Sequence, residues 1–223
     1  MTSPLSVVLF DLDGTLLDTA PDFIRCLNLL RQQAGLARLD DALIRPSVSD
    51  GAQAMIRTCF GLTPDEPDYG PQLDRFLDLY EATVAECTRL YPGLDTIPEL
   101  LARTGMPWGI VTNKPARFTH PLVRALALGA GAVICPDDVR NRKPDPEAIF
   151  LACEQLSVDP ARGLYVGDHQ RDIEAGRRAG MQTVAAAYGY INDADDVANW
   201  QADYVVETPA QLTSLLQSKL PLA

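Results

Sequence analysis

The sequence predicts an α/β fold in which a parallel sheet is covered by helices on both faces and interrupted by one helical insertion. Short apolar runs typical of strands recur along the chain, at residues 7–10, 108–111, 132–135, 164–166, 183–186 and 204–206. Segments long enough for helices lie between the later runs, at residues 94–104, 115–126, 146–156 and 170–179. Strands that alternate with helices of this length form right-handed βαβ units and a doubly wound sheet.

The first apolar run, Val7–Phe10, is followed by two acidic residues and a glycine. Successive strand side chains point to opposite faces, so Asp11 and Asp13 can lean toward one side of the strand end while Leu12 packs on the other. Gly14 lets the backbone turn sharply. Open α/β sheets bind ligands at the carboxyl ends of their strands, and paired carboxylates there suit a hard cation such as Mg²⁺. Taken alone, this segment is equally typical of a solvated turn.

The interval from Thr19 to about Tyr91 contains no strand-like run. Its apolar residues recur at helical spacing, for example at Leu73, Phe76, Leu77, Tyr80 and Val84. We therefore predict a helical insertion after the first strand, with a turn-rich loop at residues 64–71 between two of its helices. The expected division is a core of residues 1–18 and 91–223 and an insertion of residues 19–90.

Three later segments carry polar residues where strands are expected to end. Thr112 and Asn113 offer a hydroxyl and an amide that can hydrogen-bond phosphate oxygens, although the hydroxyl can equally cap a helix. Lys143 is made rigid by the proline after it, although an isolated lysine is more often a solvated surface charge. Asp168 and Asp172 have a spacing that lets one helical turn aim both carboxylates at one spot. Four such segments at four strand ends are hard to attribute to chance.

Composition and charge narrow the classes of partner. The 223 residues are 47% hydrophobic and 22% charged, which is ordinary for a globular protein. The formal net charge of −11 repels phosphate backbones and anionic lipids, so neither nucleic acid nor a membrane is an expected partner. A small phosphorylated metabolite remains open, because a metal and a few positive groups can reverse the local field.

The cysteines and the absence of targeting patterns bear on location. Five scattered cysteines without a Cys-x-x-Cys pair predict buried thiols in a reducing cytosol. The chain opens on no signal-peptide pattern and has no apolar run as long as a membrane span. We expect a soluble cytoplasmic protein, either a monomer or a homodimer.

With these motifs the chain resembles the haloacid dehalogenase superfamily of phosphotransferases over nearly all of its length. Residues 11–15 match the first motif of that family, Thr112 the second, Lys143 the third and residues 167–172 the fourth. The resemblance implies a Rossmann-like core. The insertion is similar to the helical cap of the phosphoglycolate phosphatase-like branch, so we call residues 19–90 the cap. An acid at Asp13 is typical of the phosphatases and mutases of the family, and carbon–halogen cleavage is therefore disfavoured.

The resemblance implies a Mg²⁺-dependent phosphomonoester hydrolase that works through an aspartyl-phosphate intermediate. Asp11 is the expected nucleophile, and Asp13 is expected to protonate the leaving oxygen and then to deprotonate the attacking water. Thr112 and Lys143 are expected to hold the transferring phosphoryl group. The expected metal ligands are an oxygen of Asp11, the backbone carbonyl of Asp13, and the carboxylates of Asp168 and Asp172, with Asp172 ligating directly or orienting another ligand.

Substrate choice is expected to lie in the cap and in the loops that face it. The predicted substrate-binding residues are Thr112, Asn113, Lys143, Arg45, Ser49, Lys114 and Arg117. Residues 44–55, 112–118, 134–139 and 188–191, together with Trp200, are similar to phosphatases of N-acetylmuramic acid 6-phosphate from bacterial cell-wall recycling, which favours an amino-sugar phosphate. A phosphoglycolate phosphatase, a β-phosphoglucomutase-like mutase and a phospho-accepting receiver module remain alternatives. His169 departs from the small polar residue common in relatives.

Overall fold

The structure is a computed structural model that describes residues 5–191 and 197–220. The strands are β1 (Val7–Phe10), β2 (Leu17–Asp18), β3 (Arg89–Leu90), β4 (Trp108–Val111), β5 (Ala132–Ile134), β6 (Gly163–Gly167), β7 (Gln182–Ala186) and β8 (Tyr204–Val206). Within the described residues, six of them form one parallel sheet in the order β5-β4-β1-β6-β7-β8. These are the six predicted strands, so the predicted α/β fold is confirmed.

Helices cover both faces of this sheet. They are α1 (Ala20–Gln33), α2 (Asp41–Ile44), α3 (Ala52–Phe60), α4 (Tyr69–Ala82), α5 (Ile97–Arg103), α6 (Ala116–Ala125), α7 (Glu147–Leu156), α8 (Gln170–Arg178) and α9 (Pro209–Lys219). Val8 and Phe10 of β1 pack in a buried cluster with residues of α5, α6 and α9, whereas Val7 and Leu9 pack with α7 and α8. Because β1 is buried on both faces, it is apolar throughout rather than alternating.

The central position of β1 determines where a site can form. Phe10 lies in register with Ile110 of β4 on one side and with Val166 of β6 on the other. The chain therefore winds away from β1 in both directions, which opens a crevice at the carboxyl ends of these three strands. The residues that follow β1, β4 and β6 all reach this crevice.

The helices α1–α4 lie between β2 and β3 and share a buried cluster, which Phe118 and Tyr190 of the core also join. Its members include Phe23, Ile24 and Leu27 of α1 and Phe76 and Tyr80 of α4. This agrees with the helical character predicted for residues 19–90. The division into a core and a cap domain stays a prediction.

The structure corrects three details of the sequence-based expectations. The interval after Thr19 does contain a strand, since Arg89–Leu90 pairs antiparallel with Leu17–Asp18. Two-residue strands carry no alternation that a sequence can reveal. The loop predicted at residues 64–71 ends earlier, because α4 begins at residue 69 and a proline is tolerated in a first helical turn. Cys87 is exposed in the segment between α4 and β3, whereas the other four cysteines are buried as predicted.

Strand and helix ends differ slightly from the predicted ones. Cys135 does not continue β5 but precedes the 3₁₀ turn Pro136–Asp138, whose first residue is a proline. The predicted helix at residues 94–104 is shorter and spans Ile97–Arg103. Among the described residues, none of the helices has both the length and the apolar character that crossing a membrane requires.

Candidate active site

Asp11 lies directly after β1, where the carboxyl ends of the central strands meet. Its backbone N–H donates a hydrogen bond to Val166 O at 2.8 Å, which fixes the residue against β6. Its side chain is 14% exposed, and Oδ1 lies 2.8 Å from Lys143 Nζ. The carboxylate is thus held at one oxygen while part of its surface remains open.

Lys143 reaches the site from the loop after β5, and its side chain is 1% exposed. Nζ donates hydrogen bonds to Val111 O and to the hydroxyl of Tyr165, both at 2.9 Å. It also lies 2.8 Å from one oxygen each of Asp11 and Asp172. Burial lowers the pKa of Lys143, but the two carboxylates raise it more, so this pKa lies well above its usual value. The ammonium therefore stays charged at the centre of the site.

Asp11, Asp168 and Asp172 form an acidic cluster, with one oxygen of each lying within 4.8 Å of the others. Oδ1 of Asp11 and Oδ1 of Asp172 are buried, and both pair with the same ammonium, Lys143 Nζ, at 2.8 Å. One ammonium does not balance three clustered carboxylates, so the oxygens of this cluster suit a further, divalent cation.

The charge of the cluster changes the proton affinity of its members. Burial raises the pKa of Asp11 to about 6; Lys143 opposes this rise and Asp172 adds to it. Burial also raises the pKa of Asp168 well above its usual value, and the charges of Asp11 and Asp172 act in the same direction. The cluster is therefore electrostatically unfavourable without a cation.

Donors from three segments fix the carboxylate of Asp168. Thr15 Oγ1 donates to Oδ1 at 3.1 Å, and the backbone N–H of Tyr190 donates to Oδ2 at 2.9 Å. Ser49 Oγ, from the cap, lies 3.3 Å from the same Oδ2. The cap thus contacts the acidic cluster directly.

Asp13 points to a different set of partners from those of Asp11. Lys114 Nζ lies 2.9 Å from Asp13 Oδ1, and Thr19 Oγ1 donates to the same oxygen at 2.6 Å. Asp13 is outside the acidic cluster formed by side chains, which is compatible with the predicted use of its backbone carbonyl.

Thr112 and Asn113 follow β4, next to β1 in the sheet. The Thr112 hydroxyl accepts a hydrogen bond from the backbone N–H of Lys114 at 3.1 Å. The Asn113 amide exchanges two hydrogen bonds of 3.1 Å with the backbone of Lys143. Asn113 therefore ties the loop of Lys143 to the end of β4, and its contact with substrate stays a prediction.

The remaining predicted substrate-binding residues lie around the cap. Arg45 forms a two-pronged ion pair with Asp18 at 2.9 and 3.0 Å. Arg117 lies 3.5 Å from Glu81 of α4, with both side chains about half exposed. Arg45 also lines a groove of about 680 Å³ on the outer side of α1, away from the acidic cluster.

His169 begins helix α8. The ring Nδ1 accepts a hydrogen bond from the backbone N–H of Arg171 at 3.1 Å. The backbone N–H of His169 donates to Asp172 Oδ2, also at 3.1 Å. The ring is stacked near Trp200, with 6.3 Å between centroids. This reciprocal capping orients Asp172 toward the cluster.

Two tyrosines, Tyr165 and Tyr190, contribute to the site although neither is among the predicted site residues. The Tyr165 hydroxyl donates to Val111 O at 2.8 Å and accepts from Lys143 Nζ. The Tyr190 hydroxyl accepts from the backbone N–H groups of Thr19 and Ala20, at 2.6 and 2.8 Å, where the chain enters the cap. A tyrosine inside an apolar strand such as β6 is a usable signal, because its buried hydroxyl needs a partner.

Comparisons with known proteins agree with this geometry. Residues 8–186 match the sequence family described as haloacid dehalogenase-like hydrolase. An N-acetylmuramic acid 6-phosphate phosphatase of Pseudomonas aeruginosa is 47% identical over 221 residues, which cover 97% of this chain and 96% of that protein. A phosphoglycolate phosphatase of Xanthomonas campestris pv. campestris is 39% identical over 207 residues, covering 92% and 93%.

A solved structure resembles the chain along its whole length. It is a predicted phosphoglycolate phosphatase of Haemophilus somnus, with a TM-score of 0.82 and 25% identity, and the match covers 97% of this chain and 100% of that one. The similarity therefore includes both the sheet and the cap helices.

Proposed function

The chain belongs to the haloacid dehalogenase-like hydrolase family, and from this we propose that it is a phosphomonoesterase whose substrate is N-acetylmuramic acid 6-phosphate. The observation that carries the proposed chemistry is the carboxylate of Asp11, held 2.8 Å from a buried Lys143 at the end of the central strand. A phosphate monoester resists attack by an anion, so such a site must neutralise charge and fix an in-line geometry.

In the proposed reaction, Asp11 attacks the phosphorus atom and the bond from phosphorus to the sugar oxygen breaks. Asp13 gives its proton to the departing oxygen. Water then attacks the phosphorus of the aspartyl-phosphate, Asp13 takes a proton from that water, and the carboxylate of Asp11 is released with inorganic phosphate. Lys143 neutralises phosphoryl oxygens, and Thr112 is positioned after β4 to donate its hydroxyl to them.

The residues of the acidic cluster fit a divalent cation. Lys143 brings one positive charge to its three carboxylates, and hard cations such as Mg²⁺ prefer carboxylate oxygens. We propose that Asp11, Asp168 and the backbone carbonyl of Asp13 hold Mg²⁺, with Asp172 ligating or orienting it. When bound, the ion would neutralise charge on the phosphoryl group.

Removal of metal with EDTA is expected to abolish activity, and Asp168→Ala is expected to raise the Mg²⁺ concentration needed for half-maximal activity.

The proposed substrate rests on the relative of 47% identity, which is named for N-acetylmuramic acid 6-phosphate. The cap offers a hydroxyl from Ser49 and a guanidinium from Arg45, and Arg117 of α6 lies beside the cap at Glu81; these groups suit a sugar acid. We propose cytoplasmic action on this small metabolite, as a monomer or homodimer, without nucleic acid or a membrane. 2-Phosphoglycolate is the second candidate, since other relatives are named for it.

The first experiment measures phosphate release by Asp11→Asn. We expect turnover to fall by about 10³-fold or more while the protein still folds, because the amide cannot attack phosphorus. Asp78→Asn, at an exposed position of α4, is the matched control and should keep full activity. Substantial phosphate release by Asp11→Asn would refute the assignment of Asp11 as the nucleophile.

The second experiment compares substrates. The value of kcat/KM should be much higher for N-acetylmuramic acid 6-phosphate than for 2-phosphoglycolate, because polar groups left unpaired by the smaller substrate cost ~1–3 kcal/mol each. Glucose 1-phosphate should yield no isomerised sugar phosphate, which separates a phosphatase from a mutase. Equal or higher efficiency on 2-phosphoglycolate would contradict the proposed substrate in favour of that compound. Failure to release phosphate from any monoester would leave a phospho-accepting receiver module as the remaining alternative.

A further inference from the structure

Lys114 lies between the core and the cap, with a side chain that is 5% exposed. The residue follows β4 in the core. Its Nζ lies 4.5 Å from the ring centroid of Phe23 in α1 and 4.8 Å from that of Tyr80 in α4. A cation over an aromatic face is attracted by the negative charge of the ring, more strongly when water is excluded. Two cap helices thus supply part of the environment of this one core ammonium.

Asp13 is the third neighbour of this ammonium. Lys114 Nζ and Thr19 Oγ1 both contact Oδ1 of Asp13, at 2.9 and 2.6 Å. Among the described residues, no hydrogen bond reaches the other oxygen, Oδ2. Two donors on one oxygen fix the plane of the carboxylate and leave the second oxygen available for proton transfer.

A buried ammonium is stable only when its surroundings compensate for lost hydration. Burial lowers the pKa of Lys114, but the charge of Asp13 raises it more, and the net effect is a raised pKa. The positive charge of Lys114 therefore pairs with the negative charge of Asp13 inside the protein. A role in binding substrate, predicted from the sequence, would require this ammonium to leave Asp13.

We propose that Lys114 is a positioning residue that orients Asp13 for proton transfer only while the cap rings of Phe23 and Tyr80 lie against it. This inference rests on the proposed function, because it presumes the role of Asp13. It gives the cap a part in the chemistry besides substrate recognition: when α1 and α4 move away from the end of β4, the ammonium gains water and its hold on Asp13 weakens.

The first test is Lys114→Met, which keeps the length of the side chain and removes its charge. We expect kcat to fall ~10- to 100-fold, the cost of misplacing a reacting group, with KM changed less than about threefold. Lys114→Arg is expected to recover part of kcat. A raised KM with an intact kcat would instead identify Lys114 as a substrate-binding residue and overturn the proposal, as would unchanged values of both.

The second test asks whether Phe23 acts through Lys114. Phe23→Leu should lower kcat in the wild-type protein and have no further effect on kcat when Lys114 is already methionine, because residues that act on one interaction are not additive. Phe76→Leu is the matched control: its ring centroid lies 6.1 Å from that of Phe23 in the same cap cluster, whereas the cap rings facing Lys114 Nζ are those of Phe23 and Tyr80. Equal losses of kcat from Phe23→Leu in both backgrounds, or an equal loss from Phe76→Leu, would overturn the proposal. This test also stands if Lys114→Met alone proves unstable, since Phe23→Leu and Phe76→Leu can then be compared in the wild type.

Measuring Asp11→Asn in parallel separates a failure of the proposed function from a failure of the proposed role of Lys114. If Asp11→Asn is inactive and Lys114→Met retains its kcat, only the role of Lys114 is wrong. If Asp11→Asn remains active, the proposed function fails and the proposed role of Asp13 fails with it.

Discussion

Gly14 is the residue at which the turn after β1 meets the acidic cluster. Its φ of +79° lies in the left-handed region, and a Cβ atom built on it would lie 2.0 Å from Asp168 Oδ2. Two separate requirements therefore favour glycine here: the backbone conformation, and the close approach of a carboxylate proposed to bind metal.

These two requirements can be separated by comparing Gly14→Ala with Gly35→Ala. Gly35 has a similar φ of +73°, but nothing lies within 4 Å of its would-be Cβ. A left-handed alanine costs about 1–2 kcal/mol, so both variants should lose at least that much free energy of unfolding. Gly14→Ala should lose more and should need a higher Mg²⁺ concentration for activity. Urea denaturation and Mg²⁺ titrations measure both effects, and identical behaviour of the two variants would show that the contact with Asp168 is unimportant.

How far individual residues can be predicted depends on how local their partners are. Asp11, Asp168 and Asp172 were expected together because strand ends meet at one edge of a parallel sheet, and they form one cluster. Lys114 was expected to face substrate and instead contacts rings from α1 and α4. Such a contact depends on how the cap packs on the core, which no local pattern encodes.

The junction between α4 and β3 is held by a buried carboxylate from α1. Asp22 Oδ1 accepts from the backbone N–H of Cys87 at 2.8 Å, while Oδ2 accepts from the N–H and the hydroxyl of Thr88 at 3.0 and 2.7 Å. The side chain thus satisfies backbone donors where the chain leaves the cap and returns to the sheet.

Asp22→Ala should destabilise this junction strongly. It removes acceptors from two backbone donors and one hydroxyl, and we expect a loss of about 2–4 kcal/mol in the free energy of unfolding. Thr88→Val, which removes only the hydroxyl donor, should cost about 1 kcal/mol. Chemical denaturation of the two variants gives the comparison. A loss from Asp22→Ala no larger than that from Thr88→Val would mean that the backbone donors find other acceptors.

Elements were predictable where their pattern was long enough. The six strands of the main sheet and the helices α5–α8 carry apolar runs or helical spacing, and their predicted positions agree with the structure to within a few residues, whereas α1–α4 were predicted only as one helical insertion. The short pair β2 and β3 was not, because it contains only two residues on each side and is determined by pairing between positions far apart in the chain. Arg89 and Leu90 have no neighbours in sequence that mark them as a strand.

For the molecule as a whole, the acidic cluster makes stability depend on pH and metal. Burial raises the pKa of Asp11 from 3.8 to about 6. The folded state therefore binds this proton more tightly than the unfolded chain does. The resulting stabilisation is complete below pH 3.8 and is lost as the pH rises through about 6. The raised pKa of Asp168 acts in the same direction.

We expect the melting temperature of metal-free protein, relative to that of Asp11→Asn, to fall as the pH rises from about 4 to about 6. The amide variant is the appropriate reference because it shares all other titrating groups. Mg²⁺ should stabilise the wild type more at pH 7 than at pH 4.5, since a cation competes with the proton for the same oxygens. Thermal unfolding in EDTA and in Mg²⁺ measures both effects. A constant difference in melting temperature between wild type and Asp11→Asn across this pH range would contradict the raised pKa of Asp11.

The position of β1 in the sheet also affects how the chain is made. Val7 pairs with Gly163 of β6, so the first strand leaves the ribosome roughly 150 residues before one of its two neighbours. At ~5–20 residues per second, the apolar segment Val7–Phe10 waits about 8–30 s for that partner. Helices α1–α4 can meanwhile begin to pack together, whereas β1 has no partner until β4 emerges and keeps one open, aggregation-prone edge until β6 does. Translation speed and chaperones that cover apolar nascent segments should therefore influence the yield of folded protein.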